Sequence, residues 1–342
     1  MQAIQYMQRC FQLARLGAGS VSPNPMVGAV LVYENRIIGE GWHRQFGGPH
    51  AEVHALQSVA PADRELIPRA TLYCSLEPCF HHGKTPPCVD LILEQKIPKV
   101  VVSNVDPNPR VGGQGLDKLR AAGVAVESGV LEAEGRWLNR AFFTWITKKR
   151  PWIILKWAQS ADGFIARKNE RTVISGTLAR RLVHRWRAET DAILVGANTA
   201  LVDNPGLDNR YFFGKSPLRV VLNFKNKIAS TALLLDDSQP TWVLGPQQPG
   251  SWENTLFQDI NPENWIPELL EKLHTDNRAI LLVEGGTQVL QQFLDSGFWD
   301  EIRVLENPQY LRAGVPAPQG WQHAILVEAF SLRGDLVRVF RK

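Results

Sequence analysis

His50, Glu52, Cys79 and Cys88 are the residues of this chain best suited to chemistry. One imidazole nitrogen and two sulfurs make a three-ligand zinc set. Three protein ligands leave the fourth tetrahedral position for water, the arrangement of catalytic rather than structural zinc. Glu52 follows His50 by two residues and offers a carboxylate that can move protons without binding the metal. His-x-Glu followed by Pro-Cys-x-x-Cys is the signature of nucleobase deaminases. Here eight residues separate Cys79 from Cys88 in place of two. Zinc lowers the pKa of bound water from about 15.7 to roughly 7, which makes hydroxide available at neutral pH. Hydroxide attacks the ring carbon that carries an exocyclic amine. Glu52 would take the water proton, protonate the ring nitrogen and deliver a proton to the departing ammonia.

A rival metal set uses His50 with His54, four residues on and so on the same helical face. Glu52, at about 200° around an ideal helix, would then point elsewhere. Helical periodicity does not by itself bring His50 and Glu52 together.

The elements that must position these residues alternate between strand and helix. Ile4, Met7, Phe11 and Ala14 recur at helical spacing over residues 2–17, and Gly17 and Gly19 end that helix. A strand over 27–33 and its hairpin partner over 36–41 follow. Pro49 suits the first turn of a helix running to about Val59. A strand over 71–75 leads into the cysteine loop, and a helix over 86–95 carries Cys88 near its start. A strand over 100–104, a helix over 115–122, a strand over 124–129 and a single helix over 132–146 complete the first half. Lys148-Lys149-Arg150-Pro151 breaks the chain, which gives domains of 1–148 and 149–342. The second half restarts with an apolar strand over 152–158. A helix over 177–189 follows, then strands at 192–195, 218–223, 241–244 and 280–284. Gly285-Gly286 leads into a helix over 287–296, and a strand closes the chain at 336–340. Both halves are α/β, with helices on the faces of a sheet.

At 342 residues, two domains are expected. Apolar content of 44%, charged content of 21% and a net charge of +4 are those of a globular protein. A single tight basic cluster, Lys148-Lys149-Arg150, argues against a nucleic-acid-binding face and suits a phosphorylated small molecule better. With two of four cysteines assigned to zinc, a disulfide framework is not expected. Cys10 and Cys74 read as buried small hydrophobes, and the compartment as a reducing cytoplasm. No apolar run is long enough for a membrane span, and the N-terminus lacks a signal-peptide core.

With these motifs in place, the chain resembles the RibD family, the bifunctional deaminase–reductases of riboflavin biosynthesis. The resemblance rests on 22–28 (Ser-Pro-Asn-Pro-Met-Val-Gly), 50–56 (His-Ala-Glu-Val-His-Ala-Leu) and the run from Glu77 to Cys88. In the second half it rests on Lys156, Ser160-x-Asp162-Gly163, Asp191–Leu194, Thr199 to Pro205 and Glu284-Gly285-Gly286. It implies a cytidine-deaminase-like three-layer α/β/α domain with one zinc, followed by a dihydrofolate-reductase-like α/β domain. The first would deaminate 2,5-diamino-6-ribosylamino-4(3H)-pyrimidinone 5′-phosphate. The second would reduce the ribosyl group to ribityl with NADPH, giving 5-amino-6-(5-phosphoribitylamino)uracil. A homo-oligomer is expected.

The resemblance assigns zinc to His50, Cys79 and Cys88 and catalysis to Glu52. Asn24, His81 and Lys84 would hold the pyrimidine or its ribose phosphate. Gln159, Val173, Thr199, Asp203 and Gly286 fall to NADPH, and Lys156, Arg171, Arg187, Leu207, Arg210 and Glu284 to the ribosyl substrate. There is no Gly-x-Gly-x-x-Gly in the chain. Gly285-Gly286, between a strand and a helix, instead lets backbone N–H groups approach an anion. Val173 and Arg171 stand where the family usually has Trp and Ser. The rival function is a zinc deaminase, on this or another base, whose reductase-like half is not catalytic.

Overall fold

The computed structural model describes residues 2–80, 86–109, 112–248 and 250–342. It divides into two compact units, Met1–Lys149 and Arg150–Lys342.

In the first unit α1 (Gln2–Arg15) leads to β1 (Gly28–Tyr33) and its hairpin partner β2 (Arg36–Trp42). Then come α2 (Ala51–Gln57), β3 (Thr71–Leu76), α3 (Cys88–Glu94), β4 (Lys99–Asn104), α4 (Gln114–Ala121) and β5 (Ala125–Ser128). Two helices, α5 (Glu132–Leu138) and α6 (Arg140–Lys148), end the unit. The sheet order is β2-β1-β3-β4-β5, with β1 antiparallel to both neighbours and β3, β4 and β5 parallel. Strand alternation feeds two cores. Ala29, Leu31, Leu72, Cys74, Val100 and Val102 meet α2, α3 and α4 on one face. Val30, Val32, Tyr73 and Val101 meet α1 and Leu138 of α5 on the other. This is a three-layer α/β/α sandwich. Close approach of α1 to the sheet requires Gly28, because a Cβ there would overlap the Cys10 carbonyl.

The stretch expected as one helix over 132–146 is two. Asn139 interrupts it at φ −101° and ψ 23°. Its side chain accepts from the Met26 N–H and donates to the Met26 carbonyl, so it is committed to the turn before β1.

The second unit opens with β6 (Trp152–Ser160), β7 (Phe164–Ala166), α7 (Thr177–Ala188), β8 (Ala192–Gly196) and α8 (Ala197–Asp203). It continues through β9 (Leu218–Leu222), β10 (Thr241–Leu244), β11 (Thr255–Gln258), α9 (Trp265–Thr275), β12 (Ile280–Val283) and α10 (Thr287–Asp295). Four strands close it: β13 (Glu301–Asn307), β14 (Val315–Pro316), β15 (Ile325–Leu332) and β16 (Asp335–Arg341). The main sheet runs β11-β10-β9-β8-β12-β6-β13-β16-β15, parallel from β11 to β13 and antiparallel at β16 and β15. Helices α9 and α10 cover one face, and α8 with the segments around Leu207 and Leu234 covers the other. No helix among the described residues is long and apolar enough to cross a membrane.

Candidate active sites

Three elements of the first unit deliver the metal set. Cys79 follows β3, Cys88 opens α3, and His50 is the residue before α2. Pro49 therefore precedes the helix instead of opening it. His50 caps α2 with extended backbone, φ −76° and ψ 169°, so the helical rotation that would separate it from Glu52 does not operate. His50 Nδ1 lies 3.4 Å from the sulfurs of both Cys79 and Cys88. The Cys88 N–H donates to the Cys79 sulfur at 3.3 Å, and all three ligand atoms fall within 4.8 Å of one another. Tetrahedral zinc, with bonds of about 2.3 Å to sulfur and 2.0–2.1 Å to nitrogen, needs N···S separations of about 3.6 Å. The residues fit that ion. His54 is not part of the cluster, which removes the two-histidine alternative among the described residues.

The electrostatics suit a cation too. The Cys88 thiol draws the Cys79 thiol down to about 4, with His50 assisting, while Cys88 is itself pushed up. Cys79 in turn holds His50 above its ordinary range. Glu52 is buried, and burial raises its pKa against the pull of His50. Its Oε2 has no hydrogen-bond partner among the described residues, a costly state for a buried carboxyl unless a ligand completes the site.

Two supports of this site escaped the sequence analysis. Glu77, buried at the end of β3, accepts from the N–H groups of Asp106, Gly113, Gly115 and Leu116 at 2.8–3.3 Å. It clamps the start of α4 beneath the loop that carries Cys79. The sequence signal was a carboxylate directly after an apolar strand. His43 is buried, with its ring edge-on to His50 at 5.5 Å between centroids. Its Nδ1 lies 3.0 Å from the Pro49 carbonyl and its Nε2 3.3 Å from Asn24 Nδ2. Asn24 is therefore at this site. His81 and Lys84 lie outside the described residues.

In the second unit Lys156 on β6, Arg187 on α7 and Glu284 after β12 converge. Glu284 accepts from Arg187 Nε at 3.0 Å and Nη2 at 2.8 Å, and Lys156 Nζ lies 3.6 Å from it. Burial alone would raise Glu284, but Arg187 and Lys156 outweigh it and hold the carboxyl at about 2. Burial pulls Lys156 below its ordinary value, with Glu284 opposing. Arg187 also donates to the Asp208 carbonyl at 3.1 Å, beside buried Leu207. The Arg210 N–H donates to Nδ1 of His184, whose pKa burial and then Arg187 depress to about 4.

Thr199, on α8, and Gly286, before α10, adjoin: a Cβ at Gly286 would stand 3.3 Å from Thr199 Oγ1. Gly285 lets that turn rest on β8, where any side chain would overlap Val195. Asp203 ends α8, and its pKa is raised by burial against the nearby charge of Arg171. Val173 is 62% exposed. Gln159 accepts from the Trp157 indole and donates to Glu306, so its side chain is engaged away from Lys156.

A deaminase-type metal centre in one α/β/α unit and a buried Lys–Glu–Arg cluster in a second α/β unit define a two-part enzyme. Residues 1–104 match the zinc-binding region of cytidine and deoxycytidylate deaminases, and residues 151–326 match the RibD C-terminal domain. The chain is 40% identical over 323 residues to the riboflavin biosynthesis protein RibD of Aquifex aeolicus, covering 91% of this chain and 88% of that one. A Thermotoga maritima diaminohydroxyphosphoribosylaminopyrimidine deaminase/5-amino-6-(5-phosphoribosylamino)uracil reductase superposes with a TM-score of 0.91 at 35% identity, covering 99% of this chain and 98% of that one. Acinetobacter baumannii RibD superposes with a TM-score of 0.89 at 32% identity over the same shares. The chain belongs to the RibD family, enzymes of riboflavin biosynthesis with a deaminase and a reductase half.

Proposed function

We propose that the first unit deaminates 2,5-diamino-6-ribosylamino-4(3H)-pyrimidinone 5′-phosphate and that the second reduces the ribosyl group of the product with NADPH. The observation that carries this reading is the convergence of His50, Cys79 and Cys88 beside a buried Glu52 with one oxygen unpaired among the described residues. His50, Cys79 and Cys88 would hold zinc. When bound, zinc supplies the Lewis acidity that makes water a nucleophile near neutral pH. Glu52 takes and returns protons beside it, and burial brings its carboxyl toward the range in which one group can do both. Asn24, His81 and Lys84 are assigned by motif to the pyrimidine or its ribose phosphate, and Asn24 lies beside the metal set through His43.

In the second unit Lys156, Arg187 and Glu284 would present a fixed donor and acceptor array to the ribosyl hydroxyls, with Leu207 and Arg210 beside it and Arg171 assigned to the same substrate by the resemblance. Thr199, Asp203 and the Gly286 turn would hold the nucleotide, together with Val173 and the backbone at Gln159. Four free cysteines support a reducing compartment such as the cytoplasm. The test supplies the diaminopyrimidine phosphate with and without NADPH and identifies products by mass. Exchange of an amine for oxygen is expected in both samples, and a gain of two hydrogens only with NADPH. Deamination without reduction at saturating NADPH would leave the second unit non-catalytic. No deamination by zinc-loaded protein would overturn the whole reading.

A further inference from the structure

We propose that His43 fixes which end of the Asn24 side-chain amide faces the substrate, so that Asn24 reads a hydrogen-bond donor. The chain of constraint starts at Pro49. Its carbonyl can only accept, so His43 Nδ1, 3.0 Å away, must carry the proton. A neutral imidazole has one N–H, which leaves Nε2 as an acceptor. The Asn24 atom 3.3 Å from Nε2 must then be the donating nitrogen, as found. Turning the amide over would set two acceptors against each other in a buried place. Asn24 Oδ1 is left for the ligand, with no protein partner recorded among the described residues. The turn itself is held from outside, because Asn139 pins both backbone groups of Met26.

The substrate group read at this point is therefore an N–H or O–H, and His43 is a positioning residue that touches no reacting atom. The specificity claim rests on the deaminase reading above. A purely structural role for His43, holding the Pro49 carbonyl and so His50, makes a different forecast. His43→Phe keeps a ring against His50 but loses both hydrogen bonds. If His43 acts through Asn24, that change should raise the KM for deamination about tenfold, with kcat moved less and zinc content unchanged. In an Asn24→Ala background the same change should alter KM by less than about twofold. An equal rise in both backgrounds would overturn the proposal in favour of the structural role.

A second readout does not depend on turnover. Long-range proton–nitrogen spectra of nitrogen-15-labelled protein, with the His43 signals identified by their loss in His43→Phe, report the tautomer directly. The proposal requires a neutral ring protonated at Nδ1, whose Nε2 resonance moves in Asn24→Ala. A ring protonated at Nε2 at neutral pH would refute it, even if wild-type protein deaminated nothing and the functional reading had failed for other reasons.

Discussion

Replacing Glu284 by glutamine should destabilise the second unit by more than any surface change could. Glu284 is the anion that two largely buried cations share: the side chains of Arg187 and Lys156 are 11% and 12% exposed. Glutamine keeps the size but removes the charge, and its NH2 would point a donor at groups that can only donate. The gap between the ordinary 4.5 and about 2, at about 1.4 kcal/mol per pH unit, corresponds to about 3 kcal/mol of charge stabilisation. Removing one partner of a buried pair typically costs about 3–5 kcal/mol, which agrees. For a unit of this size the melting temperature should fall by roughly 6–20 °C. The sign of the pH dependence follows from the depressed pKa. The contribution of Glu284 is complete above about 4.5 and is lost as pH falls toward 2, so the gap between wild type and variant should close over that range. Thermal unfolding followed by circular dichroism at pH 7 and at pH 3 measures both. A shift below about 3 °C at pH 7, or a gap undiminished at pH 3, would refute the reasoning. A triple change, Lys156→Met with Arg187→Leu and Glu284→Leu, should recover most of the loss, because it leaves no charge unpaired.

Glu52→Gln should keep zinc, since the three ligands remain, and lower deamination by about 10²–10⁴-fold, or roughly 3–5 kcal/mol of barrier. Turnover within threefold of wild type would move the proton-transfer role elsewhere. Cys88→Ser should lose zinc and deamination together and melt the first unit earlier, because metal binding is coupled to folding. Full zinc content by metal analysis would contradict the ligand assignment. Val173→Trp should tighten NADPH binding in a fluorescence titration by restoring an aromatic surface at an exposed loop position. Unchanged affinity would place the cofactor away from Val173.

The zinc set was legible because its information is local. Residue type and spacing are enough to suggest His50, Cys79 and Cys88, and the strand before Cys79 is a plain apolar run. The meeting of Glu52 with that set was not legible from periodicity, since it depends on His50 lying one residue outside the helix. The final sheet of the second unit was obscured in two physical ways. β13 buries Glu301 and Arg303 among its apolar residues, and their 2.7 Å pairing, with Arg303 over the Trp186 ring, hides the strand from an apolar-pattern reading. β15 is exposed along most of its length, so no alternation marks it. α8, which carries Thr199 and Asp203, is only seven residues long and follows β8 without a connecting loop, so it carries no periodic signal of its own.

Buried polar side chains mark where reading a sequence stops. Glu77, His43 and His184 are each ordinary in the chain, and their work is defined by distant backbone: the N–H groups of 106–116, the Pro49 carbonyl and the Arg210 N–H. A carboxylate or imidazole in such a place has its partner fixed before any ligand arrives, so it decides how the neighbouring ligand-facing group is presented. Glu77 does this for the loop bearing Cys79, and His184 for the backbone of Arg210. The deaminase and reductase halves thus use one device: a buried polar residue ties down a segment that carries a residue proposed for the site. Variants at these positions should disturb the sites through geometry rather than through lost chemistry.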